Sequence, residues 1–173
     1  MGPILIFVGA LLLGLVITAT VFVVGMRAKT PWVLNAMRRF ARGVANPYEM
    51  RSAGTSGAMA SVIRHRGRTS GKAYETPVAA VATEDGFAIA MVYGSRTDWL
   101  QNVLASGSAT IVNEGQTYRV DHPEVVPIEA AASYFPVKAQ RPFRRYRVDR
   151  CFRVRRIGPS SGRGHRASMT HVS

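Results

Sequence analysis

From Ile4 to Met26 the chain runs 23 residues without a charged side chain, and Thr18 and Thr20 are its only hydroxyl-bearing positions. A helix rises 1.5 Å per residue, so this run is long enough to cross a hydrocarbon core of about 30 Å. A soluble helix of that length would carry a polar face, and none is present. The pattern predicts a transmembrane helix over residues 1–26. A cleaved signal peptide is the rival reading. Such a peptide usually has a basic start, a shorter apolar stretch and a small-residue cleavage site. Residues 1–3 carry no side-chain charge, and no clear small-x-small site precedes the first cations.

The pattern then changes twice. Between Pro31 and Ala45, apolar positions at Val33, Leu34, Met37, Phe40, Ala41 and Val44 alternate with arginines. This spacing predicts an amphipathic helix that either lies on lipid headgroups or packs on the following domain. Residues 46–60 are rich in turn formers and mark a boundary. From there the period shortens to that of strands. Ser61–Arg66 alternates, and the runs Thr76–Thr83 and Phe87–Tyr93 flank the hairpin signal Glu84-Asp85-Gly86. Thr97 or Asp98 can cap a short helix that buries Leu100, Val103 and Leu104, with Gly107 ending it. Ala109–Val112 and Thr117–Val120 form a second hairpin, which Val125-Val126 extends. Pro127-Ile128-Glu129 opens a short helix to about Phe135. Cys151–Ile157 closes the pattern as a strand, with Phe152 and Val154 on one side and Arg153 and Arg155 on the other. The organisation that follows is a span (1–26), a basic amphipathic helix and linker (27–60), a mainly β domain of the α+β class (61–158) and a polar Gly/Ser-rich disordered tail (159–173). Hairpins with one helix between them fit a small antiparallel barrel better than a βαβ nucleotide fold.

Charge sharpens the picture because it is uneven. The net charge is +13, and residues 130–173 carry eleven cations against one acid, whereas residues 84–129 carry two cations against seven acids. Arg27, Lys29, Arg38, Arg39 and Arg42 follow the apolar run at once. The positive-inside rule therefore puts residues 27–173 in the cytoplasm. Arg141–Arg156 holds eight arginines interleaved with Phe143, Tyr146 and Phe152. Nucleic acid is the generic partner of such a segment. Next to an apolar span, anionic lipid explains the clustering better, and nucleic acid is not the expected partner. One cysteine, Cys151, allows no internal disulfide, and four scattered His offer no metal-ligand spacing, so no metal is expected.

The richest chemistry lies in Gly67-Arg68-Thr69-Ser70-Gly71-Lys72-Ala73-Tyr74-Glu75-Thr76-Pro77-Val78. Gly admits backbone close to an anion, hydroxyls donate hydrogen bonds, and Arg and Lys supply charge. A Walker A loop needs four residues between its glycines and Ser or Thr after Lys. Three residues separate Gly67 from Gly71 here and Ala73 follows Lys72, which argues against nucleotide hydrolysis. Taken with DGFAIAMVYG (85–94) and DWLQNVLASG (98–107), the stretch resembles the deazaflavin-dependent nitroreductase family. The likeness extends more loosely from about Val62 to Ile157.

That resemblance implies a split β-barrel of the flavin/deazaflavin-binding type and coenzyme F420 as cofactor. Related split barrels bind flavin mononucleotide (FMN) instead. It implies that Gly67 and Gly71 shape the turn while Arg68, Thr69, Ser70 and Lys72 face the phosphate and the start of the polyglutamate tail. Thr76, Pro77 and Val78 would run along the deazaflavin ring, and Tyr93, Gly94, Trp99 and Asn102 would border it. Arg96 lies where relatives can carry a further cation. Trp99 could equally be core, and Asn102 could tie the loop locally; the two lie three apart on a helix and share a face. Proton donors are open among Tyr74, Tyr93 and Tyr134, and His65 lies beside the turn. The implied activity is hydride transfer from reduced F420 to a lipophilic electron-poor acceptor such as a quinone or nitroaromatic, by a single-pass protein at the cell membrane. Membrane lipids are expected partners. A non-catalytic deazaflavin carrier and a membrane-surface interaction module are the alternatives. Split barrels often dimerise, so a homodimer is compatible with the same reading.

Overall fold

The computed structural model describes residues 2–157; the tail expected over 159–173 lies outside them. Helix α1 (Gly2–Arg27) takes up the apolar run, whose most apolar stretch is unburied by the rest of the chain, while Gly25 and Met26 at its foot are covered. It is long and apolar enough to cross a membrane. Pro31, pre-set for the first helical turn, starts α2 (Pro31–Phe40) after Thr30. The helix widens into a π-turn over Ala41–Ala45 and continues as α3 (Asn46–Glu49). Pro47 has no N–H to give Gly43, and its ring would crowd that carbonyl; the wider turn accommodates both. The helical arm therefore reaches Glu49, into the segment where turns were expected. Val33 and Leu34 pack on Met26, with Met37 and Tyr146 alongside. The arm also meets the domain, where Arg38 Nη2 donates to Tyr93 O at 2.9 Å.

The domain is mixed α+β, built on a curled, wholly antiparallel sheet. Its strands are β1 (Ser61–Arg66), β2 (Ala73–Val78), β3 (Ala80–Ala82), β4 (Gly86–Ala90), β5 (Ser108–Asn113), β6 (Gln116–Pro127) and β7 (Arg150–Arg156). The spatial order is β2-β1-β5-β6-β7-β4-β3. Its two outermost strands, β2 and β3, are separated in sequence by Ala79 alone. The sheet must therefore curl until its ends meet. Inside the curl, Ile63, Phe87, Ile89, Ile111, Val120, Phe152 and Val154 form the main core. Helix α4 (Asp98–Ser106) presses Leu100 and Val103 onto that core, and Gly107 ends it in the left-handed conformation at φ 71°.

A second cluster covers the outside of β4 and β7. A 3₁₀ helix (Ile128–Tyr134) and helix α5 (Val137–Arg145) enclose Ala88, Ile128, Ala131, Phe135, Val148 and Cys151. Covering on both faces explains why Phe87-Ala88-Ile89 is uniformly apolar rather than alternating. On β7, Phe152 and Val154 point inward as expected, and Cys151 on the other face is buried as well. Three expectations are corrected. β4 stops at Ala90, so Tyr93-Gly94 lies in a turn beyond the strand. Leu104 is 37% exposed, whereas Asn102, 6% exposed, takes the buried position on α4. The α5 helix had no counterpart in the periodicity, since Pro142 and four cations obscure it.

Candidate functional site

The turn between β1 and β2 closes on itself through two backbone bonds. Gly67 N donates to Lys72 O and Gly71 N donates to Gly67 O, both at 2.8 Å. A side chain at Gly67 would fall on the Ser70 hydroxyl and within 2.8 Å of the Tyr74 ring, so both would have to shift to admit one. Those two amides are used internally. The groups the turn offers outward are the side chains of Arg68, Thr69 and Ser70, which line a cavity of about 830 Å³. Ser70 Oγ lies 3.2 Å from the Tyr74 hydroxyl.

Asn102 holds the turn in place from α4. Its Oδ1 accepts from Arg68 N at 3.1 Å and from Arg68 Nη1 at 3.0 Å. Both partners can only donate, so the Asn102 amide nitrogen must face His65 Nδ1, 3.2 Å away. His65 Nδ1 therefore accepts, and its proton sits on Nε2, directed at Thr76 Oγ1 at 3.2 Å. Burial lowers the His65 pKa from the ordinary imidazole value, against the opposing pull of Asp98. His65 is thus held neutral, 8% exposed, with Tyr74 stacked 5.8 Å away.

The opposite wall comes from the helical arm: Arg38, Ala41, Arg42, Asn46, Pro47 and Met50. Arg38 Nη2 donates to Tyr93 O at 2.9 Å and Arg42 Nη1 pairs with Asp98 Oδ2 at 3.2 Å. Arg68 Nη2 stands 3.7 Å from the other oxygen of Asp98. The lining thus carries three guanidinium groups against two carboxylates, Asp98 and Glu75, and keeps a net positive charge. Between rim and core lie Pro77 and Trp99, whose ring meets Phe152 edge-on at 5.3 Å. Trp99 serves as core and as cavity wall at once.

Two buried polar atoms among the described residues lack a hydrogen-bond partner: Arg38 Nε and Thr97 Oγ1. Both belong to residues that line this cavity. Unpaired buried polar atoms are costly and rare.

Of the residues singled out from sequence, Gly67, Arg68, Thr69, Ser70, Tyr74, Thr76, Pro77, Tyr93, Trp99 and Asn102 line the cavity together, as does His65. Gly71, Lys72, Gly94 and Arg96 do not line it, and Lys72 is exposed on the far side of the turn. Val78 belongs to the core. Tyr134 sits in the outer cluster beneath the Arg153 guanidinium, 5.7 Å from its ring centre, so it is no donor to this cavity. Burial, and secondarily Glu49, raises the Tyr93 pKa, which keeps its phenol protonated. The arm residues are the part the sequence reading missed. Arg38, Arg42 and Asn46 recur every four positions, and that polar stripe was the available signal. No group of three or more metal-binding side chains occurs among the described residues.

No family model matches the chain, and no curated protein does. Solved structures match it at low identity. An F420-H2 dependent reductase (FDR-A) is 18% identical, with a TM-score of 0.45, over 56% of this chain and 93% of its own. An F420 reductase is 11% identical, with a TM-score of 0.40, over 58% of this chain and 87% of its own. A protein described as a domain-swapped dimer is 19% identical, with a TM-score of 0.45, over 73% of this chain and 98% of its own.

Proposed function

We propose that the chain is a membrane-anchored reductase that holds coenzyme F420 in the cavity between arm and sheet. The observation that carries this reading is the pairing of an apolar wall (Trp99, Pro77, Met50) with a cationic rim formed by Arg38, Arg42 and Arg68. A ligand with a flat ring and a phosphate tail matches that division. When bound, the deazaflavin would supply the hydride chemistry, and the protein's part is binding and orientation.

The residues divide that part among themselves. Arg68, fixed by Asn102, and Arg38 and Arg42 on the arm receive the anionic end. Thr69 and Ser70 add hydroxyl donors. Trp99 and Pro77 flank the ring and keep water from it. The protonated Tyr93 phenol is the group best kept for donating a proton to a reduced acceptor, with Tyr74 second because its hydroxyl already engages Ser70. A lipophilic acceptor, a quinone or a nitroaromatic, suits a site whose arm continues directly from an apolar span. The split-barrel assignment, the cytoplasmic placement of the domain and its boundaries at residues 61 and 158 belong to the same proposal.

The test is equilibrium binding of the full chain in detergent micelles, titrated separately with F420 and FMN and followed by fluorescence. The expected outcome is micromolar or tighter binding of F420, weakened at least about tenfold in Arg68→Ala through loss of a charge-assisted contact. Preference for FMN would keep the cavity and replace the cofactor. Binding of neither would remove the enzyme reading. Turnover with a soluble quinone then separates a reductase from a carrier.

A further inference from the structure

We propose that α5 and the residues after it, through Arg150, dock together with Trp32 on the anionic headgroups of the leaflet from which α1 emerges. This second attachment fixes how the barrel stands on the membrane. It rests on the reading of α1 as a span and names a partner surface for a part of the molecule remote from the cavity.

Packing, rather than charge, sets the depth. Phe22 lies five residues inside Arg27 on α1, about 7.5 Å of helical rise. The Tyr146 ring meets Phe22 edge-on, with centroids 6.4 Å apart. Once α1 spans, a residue that touches Phe22 stands within the interfacial layer, the level at which Tyr is favoured. Arg27 Nη1 donates to Arg145 O at 3.1 Å, Lys29 pairs with Asp149, and Tyr146 joins the cluster of Met26, Val33 and Leu34. The end of α5 is thus tied to the foot of the span from three directions. Trp32, 61% exposed at the start of α2, adds a second amphipathic ring at the same foot.

Charge then decides the partner. Val137 to Arg150 holds Lys138, Arg141, Arg144, Arg145, Arg147 and Arg150, with Asp149 as the one acid, and Lys29 occupies it. None of those six cations has an acidic partner among the described residues. Each cation near an anionic leaflet contributes about 1 kcal/mol. A nucleic acid would meet the same charges only by entering the headgroup layer beside Phe22, so the bilayer is the partner that fits.

The experiment is hydrogen exchange on the full chain in nanodiscs of phosphatidylcholine alone, and of phosphatidylcholine with phosphatidylglycerol. The expected result is that amides of residues 137–147 slow several-fold in the anionic discs while β5 is unchanged. The triple variant Arg141→Gln, Arg144→Gln, Arg145→Gln should lose the difference, with F420 binding intact. Equal exchange in the two discs overturns the docking. Slowing by a short RNA in neutral discs, with none from the anionic lipid, overturns it in favour of nucleic acid. Carbonate washing of proteoliposomes reads the anchor itself. A chain that washes out removes the span and the docking together, whereas a retained chain with unresponsive α5 removes the docking alone.

Discussion

The two walls of the cavity differ in how their polar groups are tied, although each leaves one buried polar atom without a partner, Thr97 Oγ1 at the start of α4 and Arg38 Nε on the arm. On the sheet side, Asn102 receives two bonds from Arg68 and gives one to His65, which in turn reaches Thr76. Three elements are locked by one buried amide. On the arm side, Arg38 holds Asn35 and Tyr93 O through its terminal nitrogens, while its Nε is buried without a partner. Arg42 makes only an exposed pair with Asp98. The sheet wall is braced by a buried network, whereas the arm wall is held by fewer and more exposed bonds. Replacements on the first wall should therefore cost folding and binding together, whereas replacements on the second should cost binding alone.

Asn102→Ala breaks the comparison hardest. It leaves the part-buried Arg68 amide and His65 Nδ1 without their partner, so stability should fall by about 2 kcal/mol. F420 binding should fall more than about tenfold, because Arg68 loses its anchor. Urea unfolding beside a ligand titration reads both quantities, and a variant that binds normally would show that the turn holds itself. Arg38→Ala comes next. Binding should weaken about tenfold, near 1.4 kcal/mol, while stability moves by less than about 0.5 kcal/mol, as is usual for partly exposed side chains. Unchanged affinity would leave the arm as mere cover.

The smallest effect is a pH dependence confined to the sheet wall. Burial depresses the His65 pKa in the folded protein, so folding favours the neutral ring. The stability it confers is complete above the ordinary imidazole value of 6.5 and is lost as pH falls through the lower, folded value. His65→Gln should remove that decline from the stability–pH profile. A variant that retains the wild-type slope would assign the dependence to another group.

Local rules made the sheet legible. Alternation, the Glu84-Asp85-Gly86 and Asn113–Gln116 turns and the Gly107 stop each depend on neighbours in sequence, and each marks a feature of the fold. The turn at Gly67–Lys72 was legible for the same reason. What stayed hidden depends on distant partners. From sequence, Asn102 is a candidate to border a ring or to tie the loop, but its partners, His65 and Arg68, lie more than thirty residues away and only the fold brings them together. Leu104 looks like core until α4 is seen to turn that face outward. The arm's place on the cavity joins residues 38–50 to residues 93–98 across the whole sheet, and no periodicity encodes that contact. Tyr134 carries suitable chemistry outside this cavity.

The one-residue link at Ala79 has a consequence for how the protein behaves in a crowded solution. An open sheet usually presents two long rows of unpaired backbone groups, each a template for recruiting a strand from another molecule. Here both rows belong to one bent strand, in pieces of six and three residues, and Pro77 removes an amide from the longer piece. A foreign strand finds only short stretches that change direction at Ala79, so the closure of the sheet shortens the template it offers, independently of the charges on its surface.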